Sequence, residues 1–193
     1  METIKAKRLW MALAAGVAAL VMALTLVGCG PSDEEAIKKA VDSEMGVIVN
    51  PGEETISTLA EEASAGSDGA LTTMGIDSTE LVKSWIDGFA YEVGEITVDG
   101  DTAKAAVNVT CKQLGPVLTT WQTNFEANAQ SKGFTTMDEI YAYAGQTIME
   151  ELNAAQPTTT EVTLELEKDG SNWVVSQGTA NENALINAMI GEY

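Results

Sequence analysis

The chain begins with a basic octet containing Lys5, Lys7 and Arg8, then runs for 19 residues, 9–27, without a charge. Beyond residue 30 no apolar run is as long, and hydrophobic positions recur instead with helical or strand periods. Ser32 and Glu35 have the spacing of a capping box, and Ile37, Ala40, Val41 and Met45 follow at helical intervals, predicting a first helix that Gly46 ends. Asn50-Pro51-Gly52-Glu53 predicts a second helix start with proline at its first position, followed by the narrow stripe Ile56, Leu59, Ala60 and Ala63. Residues 65–69, Ala-Gly-Ser-Asp-Gly, are the most linker-like stretch and are read as lying within one domain. Asp77 with Glu80 opens a third helix, with Leu81, Val82, Trp85, Ile86 and Phe89 along one face.

There the period changes from helical to alternating. Residues 91–98, Asp99-Gly100, and residues 102–111 predict a β-hairpin in which Asp-Gly supplies the positive φ angles of a tight turn. Tyr91 and Val93 are out of phase with Ile96 and Val98, which predicts a bulge near Gly94. Two helices follow, one marked by Leu114, Val117, Leu118, Trp121 and Phe125, the other by Met137, Ile140, Tyr141, Ala144, Ile148 and Leu152. Pro157 stops the pair. Val162, Leu164 and Leu166 then alternate with Glu161, Thr163, Glu165 and Glu167, and Asp169-Gly170 turns the chain into Trp173 and Val175. Thr179 with Glu182 caps a last helix carrying Leu185, Ala188 and Met189. The two hairpins are read as one antiparallel sheet with helices on one face and solvent on part of the other, an α+β fold.

The opening 27 residues have the outline of an export signal, a positive n-region followed by an apolar h-region. The apolar run is just long enough to span a bilayer as a helix, but alanine is its commonest residue, six of 19, with Gly16 in its middle and no basic cluster after it. It ends in Leu26-Val27-Gly28-Cys29, which resembles the bacterial lipoprotein signal, in which a small residue precedes a cysteine that becomes the acylated N-terminus. The resemblance implies cleavage between Gly28 and Cys29 and lipidation of Cys29. It divides the chain into a signal peptide at 1–28, a lipidated tether at 29–32 and a single α+β domain at 33–193. That domain is helical over 33–89, a hairpin over 91–112, a helical pair over 114–155, a hairpin over 158–178 and a C-terminal helix over 180–190.

Without residues 1–28 the chain keeps seven basic and 28 acidic residues, a net charge of −21. Such a charge disfavours nucleic acid, whose binding depends on neutralising phosphates with Lys and Arg, and it repels anionic headgroups. The protein has no histidine, which removes the commonest general base and metal ligand, and Arg8 is its one arginine. Neither a P-loop nor a dinucleotide-binding glycine motif is present. Cys111 alternates with Val107 and Val109 and is expected on the buried face of a strand as a small apolar residue, not as a nucleophile.

Helices followed by an antiparallel sheet ending in Lys168-Asp169-Gly170-Ser171-Asn172-Trp173, with Trp85-Ile86-Asp87-Gly88-Phe89 leading into the first hairpin, is similar to bacterial lipoproteins of the nuclear-transport-factor-2-like and cystatin-like shape. That resemblance implies a curved sheet of about four strands and a conical pocket between helix and sheet. The isomerases and dehydratases of that shape work with an acid and a tyrosine or histidine in the pocket. Here the pocket candidates are Trp85, Asp87, Phe89, Tyr91, Trp121 and Tyr141, with Tyr143 as a further hydrogen-bond donor. The bland alternatives are that Asp87 is a solvated helix residue and that the aromatics, Trp173 among them, are core. Acidic pairs such as Glu34-Glu35 and Glu150-Glu151 do not share a helix face and do not form a calcium loop. No catalytic residue, metal ligand or cofactor is assigned. The expected role is a non-enzymatic binding module for a small ligand or an envelope protein, on the extracytoplasmic face of a bacterial membrane and held there by its lipid. The alternative is a small pocket enzyme of the isomerase or dehydratase type.

Overall fold

The computed structural model describes residues 32–191. Gly28 and Cys29, the apolar run before them and the start of the tether lie outside the described residues. Among those described, seven helices and four strands occur in the order α1 (Asp33–Val49), α2 (Glu53–Gly66), α3 (Ala70–Thr73), α4 (Ser78–Ile86), β1 (Ala90–Asp99), β2 (Thr102–Cys111), α5 (Leu114–Ala129), α6 (Met137–Ala154), β3 (Thr158–Asp169), β4 (Asn172–Val175) and α7 (Thr179–Ile190). No helix among them is long and apolar enough to cross a membrane.

The strands form one open antiparallel sheet in the order β1-β2-β3-β4. Alternation decides its two faces. Ala103, Ala105, Val107, Val109 and Cys111 of β2 and Val162, Leu164 and Leu166 of β3 are all buried, and they pack against Ile37, Val41, Met45 and Ile48 of α1 and Leu185, Ala188 and Met189 of α7. Of the intervening residues, Lys104, Glu161, Thr163, Glu165 and Glu167 are exposed, and Ala106, Asn108 and Thr110 are half-buried. The architecture is therefore α+β, with the main core between one sheet face and α1 and α7. A smaller cluster of Leu59, Ala60 and Val82 joins α2 to α4.

Both hairpins close in the same way, one residue later than Asp-Gly at the turn centre would place them. Asp99 pairs with Thr102 and Asp169 with Asn172, so the two-residue loops are Gly100-Asp101 and Gly170-Ser171. Glycine sits at the first loop position with φ +62° and +64°, as a II′ turn requires. The bulge falls where the phase break predicts it, between Val93 and Ile96.

Three helix ends differ from the sequence expectation. The capping box at Ser32 and Glu35 forms, but α1 continues through Gly46, because Ile48 extends its buried stripe by another turn. Burial of that side chain outweighs the roughly 1 kcal/mol that glycine costs in a helix. Asn50 is consequently the C-cap of α1, its N–H bonded to the Gly46 carbonyl, and Gly52, not Asn50, is the N-cap of α2. Gly178 precedes α7 without a side-chain cap, and Thr179 is already helical. The start of α7 is instead held by buried Asn181. Its Nδ2 donates to the carbonyls of Glu165 (2.8 Å) and Ser176 (2.9 Å), and its Oδ1 accepts from the Glu165 N–H (2.8 Å). The Glu165 carbonyl also accepts the Ser176 N–H at 2.9 Å, so the Asn181 amide completes the backbone pairing beside Glu165 just where β4 ends.

Candidate functional site

The pocket candidates are distributed among three places. Trp85 and Asp87 belong to a clasp between the end of α4 and the end of β2. Asp87 is the C-cap of α4 and Lys112 directly follows β2. The Lys112 ammonium, 4% exposed, donates to the Ser84 carbonyl at 2.9 Å and meets Asp87 Oδ2 at 3.4 Å, while Trp85 Nε1 donates to the Lys112 carbonyl at 3.1 Å. A cation against the unpaired carbonyls of a helix C-terminus is favourable, which explains how an ammonium comes to be buried here. Asp87 itself is 78% exposed. It is a solvated helix-terminal residue with a cationic neighbour, and not a carboxyl in an apolar wall.

Phe89 and Tyr91 border two grooves that meet at Val49. One, of about 240 Å³, runs among Ile48, Pro51, Ile86, Asp87 and Phe89. The other, of about 390 Å³, lies between α1 and the edge strand β1, lined by Lys38, Asp42, Val49, Ala90, Tyr91 and Val93. Both are open to solvent, in contrast to an enclosed cone. The space between α1 and the sheet, where such a cone would lie, is filled by Ile37, Val41 and Met45, none of which is exposed.

Tyr91 donates its hydroxyl proton to Asp42 Oδ1 at 2.8 Å across the larger groove. Burial first, then the Asp42 acceptor and its negative charge, push the phenol up to about 12. The native state therefore holds a proton that the unfolded chain releases near pH 10, so this contribution to stability is lost as pH rises from about 10 to about 12. In an ultraviolet difference titration, Tyr91→Phe is expected to remove one phenol step at about pH 12. Removal of a step near pH 10 would mean that the phenol is neither buried nor bonded to Asp42 in solution.

Trp121 and Tyr141 lie apart from these grooves, on the α5–α6 pair. Trp121 Nε1 donates to Thr147 Oγ1 at 3.0 Å, and its ring stacks at 5.4 Å on Phe125, which in turn meets Tyr143. Tyr143, not Tyr141, faces the partner helix; Tyr141 is 38% exposed and Met137 57%. Trp173 is buried in the core face of β4, as the core reading of the aromatics has it. Cys111 is buried too, and burial pushes its thiol up to about 11, so it is almost entirely protonated at neutral pH. Among the described residues, no three carboxylate or thiol side chains gather as a metal would need.

Sequence reasoning missed Lys112 and Asn181. A single lysine after a strand and a single asparagine in the first turn of a helix carry no periodic signal, and both act through backbone groups distant in sequence.

The fold defines a class, an α+β domain with helices on one face of an open four-stranded sheet. No family model and no curated protein matches the chain. A similar solved structure is the protein from Bacillus subtilis described as "putative lipoprotein (ycdA)", with a TM-score of 0.54 at 15% sequence identity. The similarity covers 81% of this chain and 56% of that one, so this protein spans little more than half the length of its structural neighbour. At that identity the likeness concerns the fold.

Proposed function

We propose that the protein is an exported lipoprotein, cleaved between Gly28 and Cys29 and acylated on Cys29, whose domain is a non-enzymatic binding module on the outer side of the membrane. The carrying observation is the order of the first 29 residues: a basic n-region, an uncharged h-region, and Leu26-Val27-Gly28-Cys29 at its end. The fold shared with a Bacillus subtilis protein described as a lipoprotein adds support. Two or three acyl chains, each buried CH₂ contributing about 0.8 kcal/mol, hold a protein stably where one chain would not.

The finer fold class in this reading is the nuclear-transport-factor-2-like or cystatin-like shape, with α1 as the helix across the sheet. A binding role accords with grooves that are open, and with Asp87 and Tyr91 engaged by Lys112 and Asp42 instead of converging on one point. The occupant of the grooves is a small molecule or a segment of another envelope protein; nucleic acid is disfavoured by charge. Cys29→Ala tests the anchor. The variant is expected to accumulate as an unprocessed precursor that takes up no labelled fatty acid. Processing and labelling as in the wild type would overturn the reading.

A further inference from the structure

The structure fixes which end of the domain an anchor at Cys29 would hold. Asp33, the first residue of α1, is four residues from Cys29, so it lies within about 14 Å of the acylated residue whatever path the tether takes. Its carboxylate accepts from Trp173 Nε1 at 2.9 Å and lies 3.6 Å from the Lys168 ammonium. Lys168 also approaches Asp101 Oδ1 at 4.0 Å, and its backbone N–H donates to the Asp101 carbonyl at 2.9 Å. Trp173 and Lys168 flank the β3–β4 turn, and Asp101 is in the β1–β2 turn. The start of α1 and both hairpin turns are thereby bound into one end of the molecule, and the tether cannot lengthen easily by fraying of the first helical turn.

From that end α1 runs for 17 residues, about 26 Å at 1.5 Å per residue, alongside the sheet. Asp42, midway along it, meets Tyr91 near the start of β1, and Val49 at its end borders both grooves. The helix therefore runs from the two turns towards the grooves.

Resting on the lipid-anchor reading, we propose that the domain stands on its two hairpin turns, with α1 as the upright and the grooves at the pole facing away from the bilayer. Electrostatics favours this posture over lying flat. Asp99, Asp101 and Asp169 ring the turns and hold this foot off the headgroups at tether length, while the net charge of −21 that the chain has without residues 1–28 keeps its longer sides from lying down on an anionic surface. A partner would then meet the grooves from outside, across a space the membrane does not obstruct.

The test uses the full acylated chain in vesicles containing a headgroup energy acceptor. One donor dye is placed through Ser171→Cys, in the β3–β4 turn, or through Asn50→Cys, at the far end of α1. Both positions are exposed, and Cys111 is too buried to react. Transfer is expected to be several-fold stronger from position 171 than from position 50. Equal transfer, or stronger transfer from position 50, in chains that carry acyl groups by mass would overturn the orientation while leaving the anchor standing. If neither variant carries acyl groups or floats with the vesicles, the anchor reading fails and the orientation falls with it.

Discussion

Trp173→Ala is expected to destabilise the domain by about 3–5 kcal/mol, a large share of the roughly 5–15 kcal/mol that holds a domain together. The ring is 5% exposed on the core face of β4, and the Lys168 ammonium lies over it at 4.9 Å from the ring centre. Truncation removes this burial from a strand of only four residues, whose other buried side chain is Val175. It also frees Asp33, and with it the first turn of α1. The indole N–H is the leading cause that holds the Asp33 carboxyl below its ordinary value, with Lys168 adding to it and burial opposing. A depressed carboxyl stabilises the native state above its unfolded pKa and loses that contribution as pH falls through the folded value. The gap between wild type and variant should therefore narrow in acid. Urea unfolding at neutral and acid pH measures both effects. A variant within a few tenths of a kcal/mol of wild type would mean that the ring is exposed in solution.

The second large effect is expected at Gly145, in the middle of α6. Helix propensity alone predicts that Gly145→Ala stabilises the protein by roughly 1 kcal/mol. Packing predicts the opposite sign. A β-carbon at Gly145 would fall well inside contact distance of the Met74 carbonyl oxygen. Met74 caps the end of α3, and the obstacle is backbone that cannot swing aside. Overpacking of this kind costs typically about 1–3 kcal/mol and occasionally more. The variant should unfold at lower urea than wild type, and a rise in midpoint would show that α3 does not sit against α6 as described.

How much of this was legible depended on how each feature is encoded. The sheet was readable because its faces differ in polarity at every second residue, from Glu161 through Leu166, and a register slip would turn Leu164 to solvent. The bulge at Gly94 was readable as a phase break. Features set by distant groups were not. The end of α1 depends on Ile48 meeting the core, and the start of α7 on Asn181 reaching Glu165, and both override local capping signals. The four residues of α3 are too few to show a period. On α6 the stripe through Met137 and Tyr141 is genuine as a pattern, but both lie towards the tip of the helical pair, and both are exposed. The candidate site was the least legible part. Asp87 and Tyr91 do line the grooves, yet the partners that engage them, Lys112 and Asp42, come from other elements. Trp121 and Tyr141 fell on a helical pair that does not border the grooves.

In the proposed function this domain works as a lipid-anchored chain beginning at Cys29. Intact mass and N-terminal fragmentation of the protein extracted from membranes test it most directly. The expected result is a mature N-terminus at Cys29 carrying a diacylglyceryl group, with residues 1–28 absent. A chain that retains residues 1–28, or that begins elsewhere with an unmodified Cys29, would contradict it.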